Sequence, residues 1–187
     1  ATKLVLKYLA RSYNDGPNDP VAREKMHYAA TIAGMAFANA FLGLCHSMAH
    51  KLGAMYSIPH GVANALLIRQ IIKYNATDKP TKQATFPQYK FPNALVKYGQ
   101  IADELGLGGK DDQEKVKLLI KAVDDLMTQI NLPKSIKEFG VKEDEFMENL
   151  DILVERAFDD QCTGANPRYP LMKEIKQIFI DAYNGVV

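Results

Sequence analysis

The chain has 187 residues, 47% of them hydrophobic, and sets 23 Lys plus Arg against 22 Asp plus Glu. That length supports one sizeable core, and a net charge of +1 argues against nucleic acid or an anionic membrane as the main partner. Cys45 and Cys162 lie far apart in sequence, which argues against a disulfide scaffold or a thiolate zinc site and fits a reducing cytoplasm.

Helical periodicity runs through the chain. Leu4, Val5, Tyr8 and Leu9 share a face over residues 2–12. A turn cluster follows from Asn14 to Pro20, and Asp19-Pro20 reads as a helix start, a capping side chain followed by proline at the first helical position. The spacing predicts one long helix from about residue 20 to about residue 56. Asn14, Asp15 and Asp19 interrupt the opening too early for a signal peptide.

Within that helix, Tyr28 to Cys45 is eighteen residues without a charge. Its Ala and Gly content, Asn39 inside it and His46 just after it favour a helix buried at the centre of the protein over a membrane span. Ser57-Ile58-Pro59 ends the run, because the residue before a proline resists helical geometry. Further helices are predicted over 60–74, 93–105, 112–131, 143–158 and 171–183, with a short one within 133–139. Residues 75–92, which contain three prolines, read as a surface excursion. Phe146, Leu150, Leu153 and Ala157 make one stripe, and Leu171, Ile175, Ile178 and Tyr183 another. No strand pattern appears. The expected architecture is all-α, a single helical domain over residues 1–187 of seven or eight helices.

Chemistry concentrates in GLCHSMAHKLGAMYSIPHG, Gly43 to Gly61, which holds His46, His50 and His60. His46 and His50 are one helical turn apart and share a face. The turn at Pro59 can swing His60 toward the same point. Three such imidazoles suit a transition metal or proton transfer, and a satisfied structural cluster is the alternative. His27 joins no motif and reads as structural. Asp159 and Asp160 could cap a helix or bind metal, but a solvated helix end is favoured, and Cys162, with no partner nearby in sequence, is not taken as a nucleophile. Gly106, Gly108 and Gly109 imitate a nucleotide loop but match neither the GxGxxG pattern nor a Walker loop; they read as a helix cap and turn.

The run from Gly34 to Ile68 resembles the signature of the iron-containing alcohol dehydrogenases. The pattern H-x-x-A-H-x-x-G, five residues, then P-H-G falls on His46, Ala49, His50, Gly53, Pro59, His60 and Gly61. Phe158 to Arg168 (FDDQCTGANPR) resembles a second family segment. The excursion from Tyr74 to Tyr89 makes the resemblance strongest to the C-terminal alcohol dehydrogenase part of bifunctional aldehyde–alcohol dehydrogenases, and disfavours a polyol dehydrogenase.

The resemblance implies an enzyme that reduces a short aldehyde with NAD in fermentation, using Fe²⁺ or a substituting Zn²⁺. It implies His46 and His60 as two of four metal ligands. His50 faces substrate and nicotinamide and handles a proton, and Phe37 and Cys162 line the substrate pocket. Phe37 lies nine residues before His46, so that role requires a bend near Gly43. The family's other two ligands, an Asp and a His on one helix, match no run in this sequence, and neither does its NAD-binding α/β domain. The expectation is therefore a truncated piece, inactive alone, whose partner is the N-terminal domain of the same polypeptide. Assembly into homo-oligomers or filaments is implied too, and a helical self-association module without its own catalysis is the rival reading.

Overall fold

The computed structural model describes residues 1–82 and 93–187. Nine α-helices are present among them: α1 (Thr2–Asp15), α2 (Pro20–Ala40), α3 (Leu44–Tyr56), α4 (His60–Asn75), α5 (Ala94–Glu104), α6 (Asp112–Gln129), α7 (Ile136–Phe139), α8 (Glu143–Phe158) and α9 (Met172–Asn184). A 3₁₀ turn, Thr163–Ala165, joins the last two. No β-strand runs through the described residues. The all-α expectation holds, and α4 ends at Asn75, so the predicted excursion narrows to non-helical residues 76–82 and a part, 83–92, outside the described residues.

Four helices make the core. α3 contributes Leu44, Met48, Ala49 and Leu52, and α4 contributes Ala63, Leu66, Leu67 and Ile71. α8 adds Phe146, Leu150, Leu153, Val154 and Ala157, and α9 adds Ile175, Ile178, Phe179, Ala182 and Tyr183. Phe146 and Tyr183 stack with ring centroids 4.3 Å apart. Burying each large apolar side chain stabilises the fold by about 1.5–3 kcal/mol relative to exposure. α6 buries Val116, Leu119, Leu126 and Met127, packing against α5, α1 and α4.

Local signals fix most helix ends. Asp19 accepts from the Ala22 amide at 2.9 Å, with Pro20 at the first helical position of α2. Ser135 does the same for Glu138 at the start of α7. Gly106, Gly108 and Gly109 all have positive φ, the geometry of a cap and turn.

The predicted helix over 20–56 is instead two helices. α2 stops at Ala40, Phe41 takes a left-handed φ of 63°, Gly43 is extended, and α3 leaves at 111° to α2. The amide of Leu44 is held by Asn166 Oδ1 at 3.2 Å, a contact from 122 residues away that no local pattern announces. The bend also overturns the expectation that Tyr28–Cys45 is buried at the centre. It carries α2 away from the core to pack along α1, so Tyr28, Ile32, Met35, Phe37 and Phe41 are exposed. Among the described residues no single helix is long and apolar enough to cross a membrane.

The start of α9 is tied down by Glu174. Its carboxylate accepts from the Leu171 amide (2.8 Å), the Tyr74 hydroxyl (2.8 Å) and Arg168 Nη2 (2.6 Å). Burial alone would push this carboxyl up, but those three donors hold it below the usual range. A depressed carboxyl stabilises the fold above its unfolded value of about 4.3, and that contribution is lost as pH falls through the folded value. Glu174→Gln is expected to cost about 2 kcal/mol in chemical denaturation at pH 7, with the gap to the parent chain closing toward acid pH.

Candidate active site

α3 serves two surfaces. Leu44, Met48 and Leu52, four residues apart, face the core. His46 and His50 therefore emerge on the opposite side of the same helix. Ser57 ends α3 in the left-handed region (φ 54°), Ile58 is buried as an anchor, and Pro59 starts α4 so that His60 is its first residue. The chain reverses, and the third imidazole meets the other two. Ring centroids are 5.4 Å apart for His46 and His60, 5.8 Å for His50 and His60, and 6.2 Å for His46 and His50.

These rings suit a metal unequally. Two imidazoles on one tetrahedral ion, with metal–nitrogen bonds of about 2.1 Å, place their centroids about 5.2 Å apart. His46 and His60 come nearest to that separation. Asn64 Nδ2 lies 3.2 Å from His60 Nε2. An amide NH₂ group can only donate, so that ring nitrogen accepts through its lone pair, and a metal held there would displace the Asn64 contact. Asn64 Oδ1 is buried without a partner. The His46 imidazole is held below its ordinary pKa by burial and by its two histidine neighbours, with Asp160 opposing. It therefore stays neutral further into the acid range.

His50 is engaged elsewhere. Its Nδ1 lies 3.1 Å from Asp160 Oδ2, which also accepts from Lys51 Nζ at 2.8 Å, while Asp160 Oδ1 accepts from the Cys162 amide at 2.9 Å. The Asp160 side chain is 8% exposed. Burial acts to raise its pKa, but Lys51, the Cys162 amide and His50 outweigh it and hold the carboxyl far below the usual range. This overturns the expectation of a solvated helix end for Asp160, whereas Asp159 is exposed as expected. α8 stops at Phe158, and the turn behind it drives Asp160 inward beneath α3. With Asp160 ionised, His50 donates through Nδ1, and Nε2 is left as its free nitrogen.

His50, Asp160 and Cys162 also offer ligand atoms within 4.8 Å of one another. A metal fits poorly there. The Asp160 oxygen already carries the Lys51 ammonium, and burial together with Asp160 pushes the Cys162 thiol up to about 11. The set reads as a hydrogen-bonded support for His50.

Of the sequence-predicted residues, the structure brings His46, His50, His60 and Cys162 into one neighbourhood. Phe37 lies on α2 beyond the bend, 50% exposed. The bend that its pocket role required is present near Gly43. His27 is exposed on α2, apart from the cluster, and pairs with the neighbouring Tyr28 ring. Sequence reasoning missed Asp160 as the partner of His50 and Asn166 as the anchor of α3, because each acts across more than a hundred residues.

The family model described as "Fe-containing alcohol dehydrogenase family, C-terminal" matches residues 1–183. The chain belongs to the Fe-containing alcohol dehydrogenase family. It is 57% identical over 187 residues to the bifunctional aldehyde-alcohol dehydrogenase AdhE of Escherichia coli (strain K12), covering 99% of this chain and 21% of that protein. It is 55% identical over 183 residues to the aldehyde-alcohol dehydrogenase of Clostridium acetobutylicum, covering 98% and 21%. The solved alcohol dehydrogenase from Oenococcus oeni superposes with a TM-score of 0.80 at 34% identity, over 97% of this chain and 43% of that one. The chain thus spans 21% of the length of both aldehyde-alcohol dehydrogenases and less than half of the solved enzyme.

Because the Cys162 thiol is 1% exposed and its pKa is raised, it is expected to resist iodoacetamide at pH 8 in the folded protein and to react fully once denatured. Mass spectrometry of the alkylated chain reads this directly. Fast labelling of native Cys162 would contradict the buried-thiol assignment.

Proposed function

We propose that these 187 residues form the helical, metal-holding part of a larger NAD-dependent alcohol dehydrogenase that reduces a short aldehyde, acetaldehyde foremost, to its alcohol in fermentation. The observation that carries this reading is the convergence of the His46 and His60 rings to 5.4 Å. Family membership supports it, and so does the bifunctional relative in Escherichia coli, of which the chain covers 21%. We assign the remaining two ligands, an Asp and a His, to another part of a longer polypeptide, together with the NAD-binding domain.

When bound, Fe²⁺ or a substituting Zn²⁺ would supply Lewis-acid polarisation of the substrate oxygen, and NAD would supply or accept the hydride. The chain's own residues do the rest. His46 and His60 present lone pairs from two different helices. His50 exchanges the substrate's proton at Nε2, and Asp160 fixes the ring's tautomer through Nδ1 and stabilises the imidazolium that forms. Lys51 keeps Asp160 ionised without consuming its contact to His50. Cys162, beside Asp160, and Phe37, across the bend, are assigned to the wall of the substrate pocket. The unpaired cysteines fit a cytoplasmic enzyme.

In the full-length protein, His46→Ala or His60→Ala is expected to lose metal and activity together. His50→Ala should retain the metal and slow turnover by about 100-fold or more. Metal analysis beside steady-state kinetics separates the two classes, and loss of metal from His50→Ala would refute the role given to that ring. The isolated chain, with two imidazole ligands, should show no stoichiometric tight Fe²⁺ or Zn²⁺ site in chelator competition. A tight site there would overturn the shared-ligand reading.

A further inference from the structure

The side chain of Asn166 is 2% exposed and uses its full hydrogen-bonding capacity. Oδ1 accepts from the Leu44 amide at 3.2 Å and from Asn75 Nδ2 at 3.3 Å. Nδ2 donates to Asn75 Oδ1 at 2.8 Å and to the Arg168 carbonyl at 2.7 Å. Leu44 opens the helix that carries His46 and His50. Asn75 closes the helix that begins with His60. Asn166 itself ends the turn that carries Asp160 and Cys162. One buried amide therefore bonds all three segments that bring the site together.

Gly43, at the N-cap of α3, has no side chain to cap that helix. Asn166 Oδ1 takes the place of the missing cap. Gly43 has φ −129° and ψ −162°, extended values open to any residue, so its backbone does not require glycine. Space does: a Cβ there would lie 2.8 Å from Asn166 Oδ1. The bend, the bare N-cap and the buried amide are three parts of one joint.

We propose that Asn166 is a positioning residue for the imidazole cluster, setting the register of α3 against α4 so that the His46 ring meets the His60 ring at ligand separation. The inference rests on the metal reading given above. Aspartate cannot replace Asn166, because it lacks the two donors. A side chain without polar atoms takes the Asn166 partner from the Leu44 amide, the Arg168 carbonyl and the Asn75 side chain in a buried site.

The test uses the full-length enzyme and two readouts, Zn²⁺ affinity by chelator competition and the melting temperature of the metal-free protein. Asn166→Asp and Asn166→Ala are expected to weaken Zn²⁺ binding by about 10- to 100-fold, the range seen when the residues supporting a metal ligand are removed. Tyr183→Phe is the control. It removes a buried bond to the Val141 carbonyl in the core, away from the imidazoles, and should lower melting while leaving Zn²⁺ affinity unchanged. Gly43→Ala approaches the joint from the other side and keeps every polar group, so it decides the matter should Asn166→Ala fail to fold. It should weaken Zn²⁺ in the parent and, where Asn166→Ala folds, have little further effect in that background. Zn²⁺ affinity within twofold of the parent in Asn166→Asp and Gly43→Ala would overturn the proposal. A parent enzyme that binds no Zn²⁺ would instead overturn the metal reading on which it rests.

Discussion

One helix with two faces underlies this structure. Leu44, Met48, Ala49 and Leu52 are held in the four-helix core, and that packing fixes the rotation of α3 about its own axis. Once the rotation is set, His46 and His50 have no freedom to face anywhere but outward, toward the start of α4. The hydrophobic effect thus aims the imidazoles by fixing the helix that carries them. Polar contacts then refine the aim, with Asp160 holding one ring and Asn64 lying against another.

The three imidazoles occupy different electrostatic settings despite their closeness. His46 is half-buried beside two other rings, which favours the neutral form. His50 faces a carboxylate whose charge is secured by Lys51. Three identical side chains are in this way set apart from one another, and the environment rather than the residue type makes the difference. The Lys51 ammonium, the His50 Nδ1–H and the Cys162 amide together hold the Asp160 carboxylate ionised although its side chain is 8% exposed.

Much of this was readable in the sequence, and the unread portions share a cause. The stripes on α6, α8 and α9 repeat at helical spacing, so their buried faces followed from periodicity. The reversal at Ser57-Ile58-Pro59 followed from proline sterics and placed His60 at a helix start. The 111° bend did not follow, because it needs a non-glycine residue, Phe41, in a left-handed conformation and a partner amide 122 residues later. Asp160 was misread for the same reason. An aspartate just past a helix end is ordinarily solvated, and what pulls this one inward is a ring and an ammonium from a helix more than a hundred residues earlier. Local chemistry was legible; contacts closed by the tertiary fold were not.

The sharp corner at residues 41–43 splits the polypeptide into an arm, α1 with α2, and a body built on α3, α4, α8 and α9. The imidazoles ride wholly on the body, whereas Phe37 rides on the arm. The arm's exposed apolar surface can therefore be altered by substitution without disturbing the spacing of the three clustered rings. Ring spacing and arm surface thus belong to separate mechanical parts of one chain.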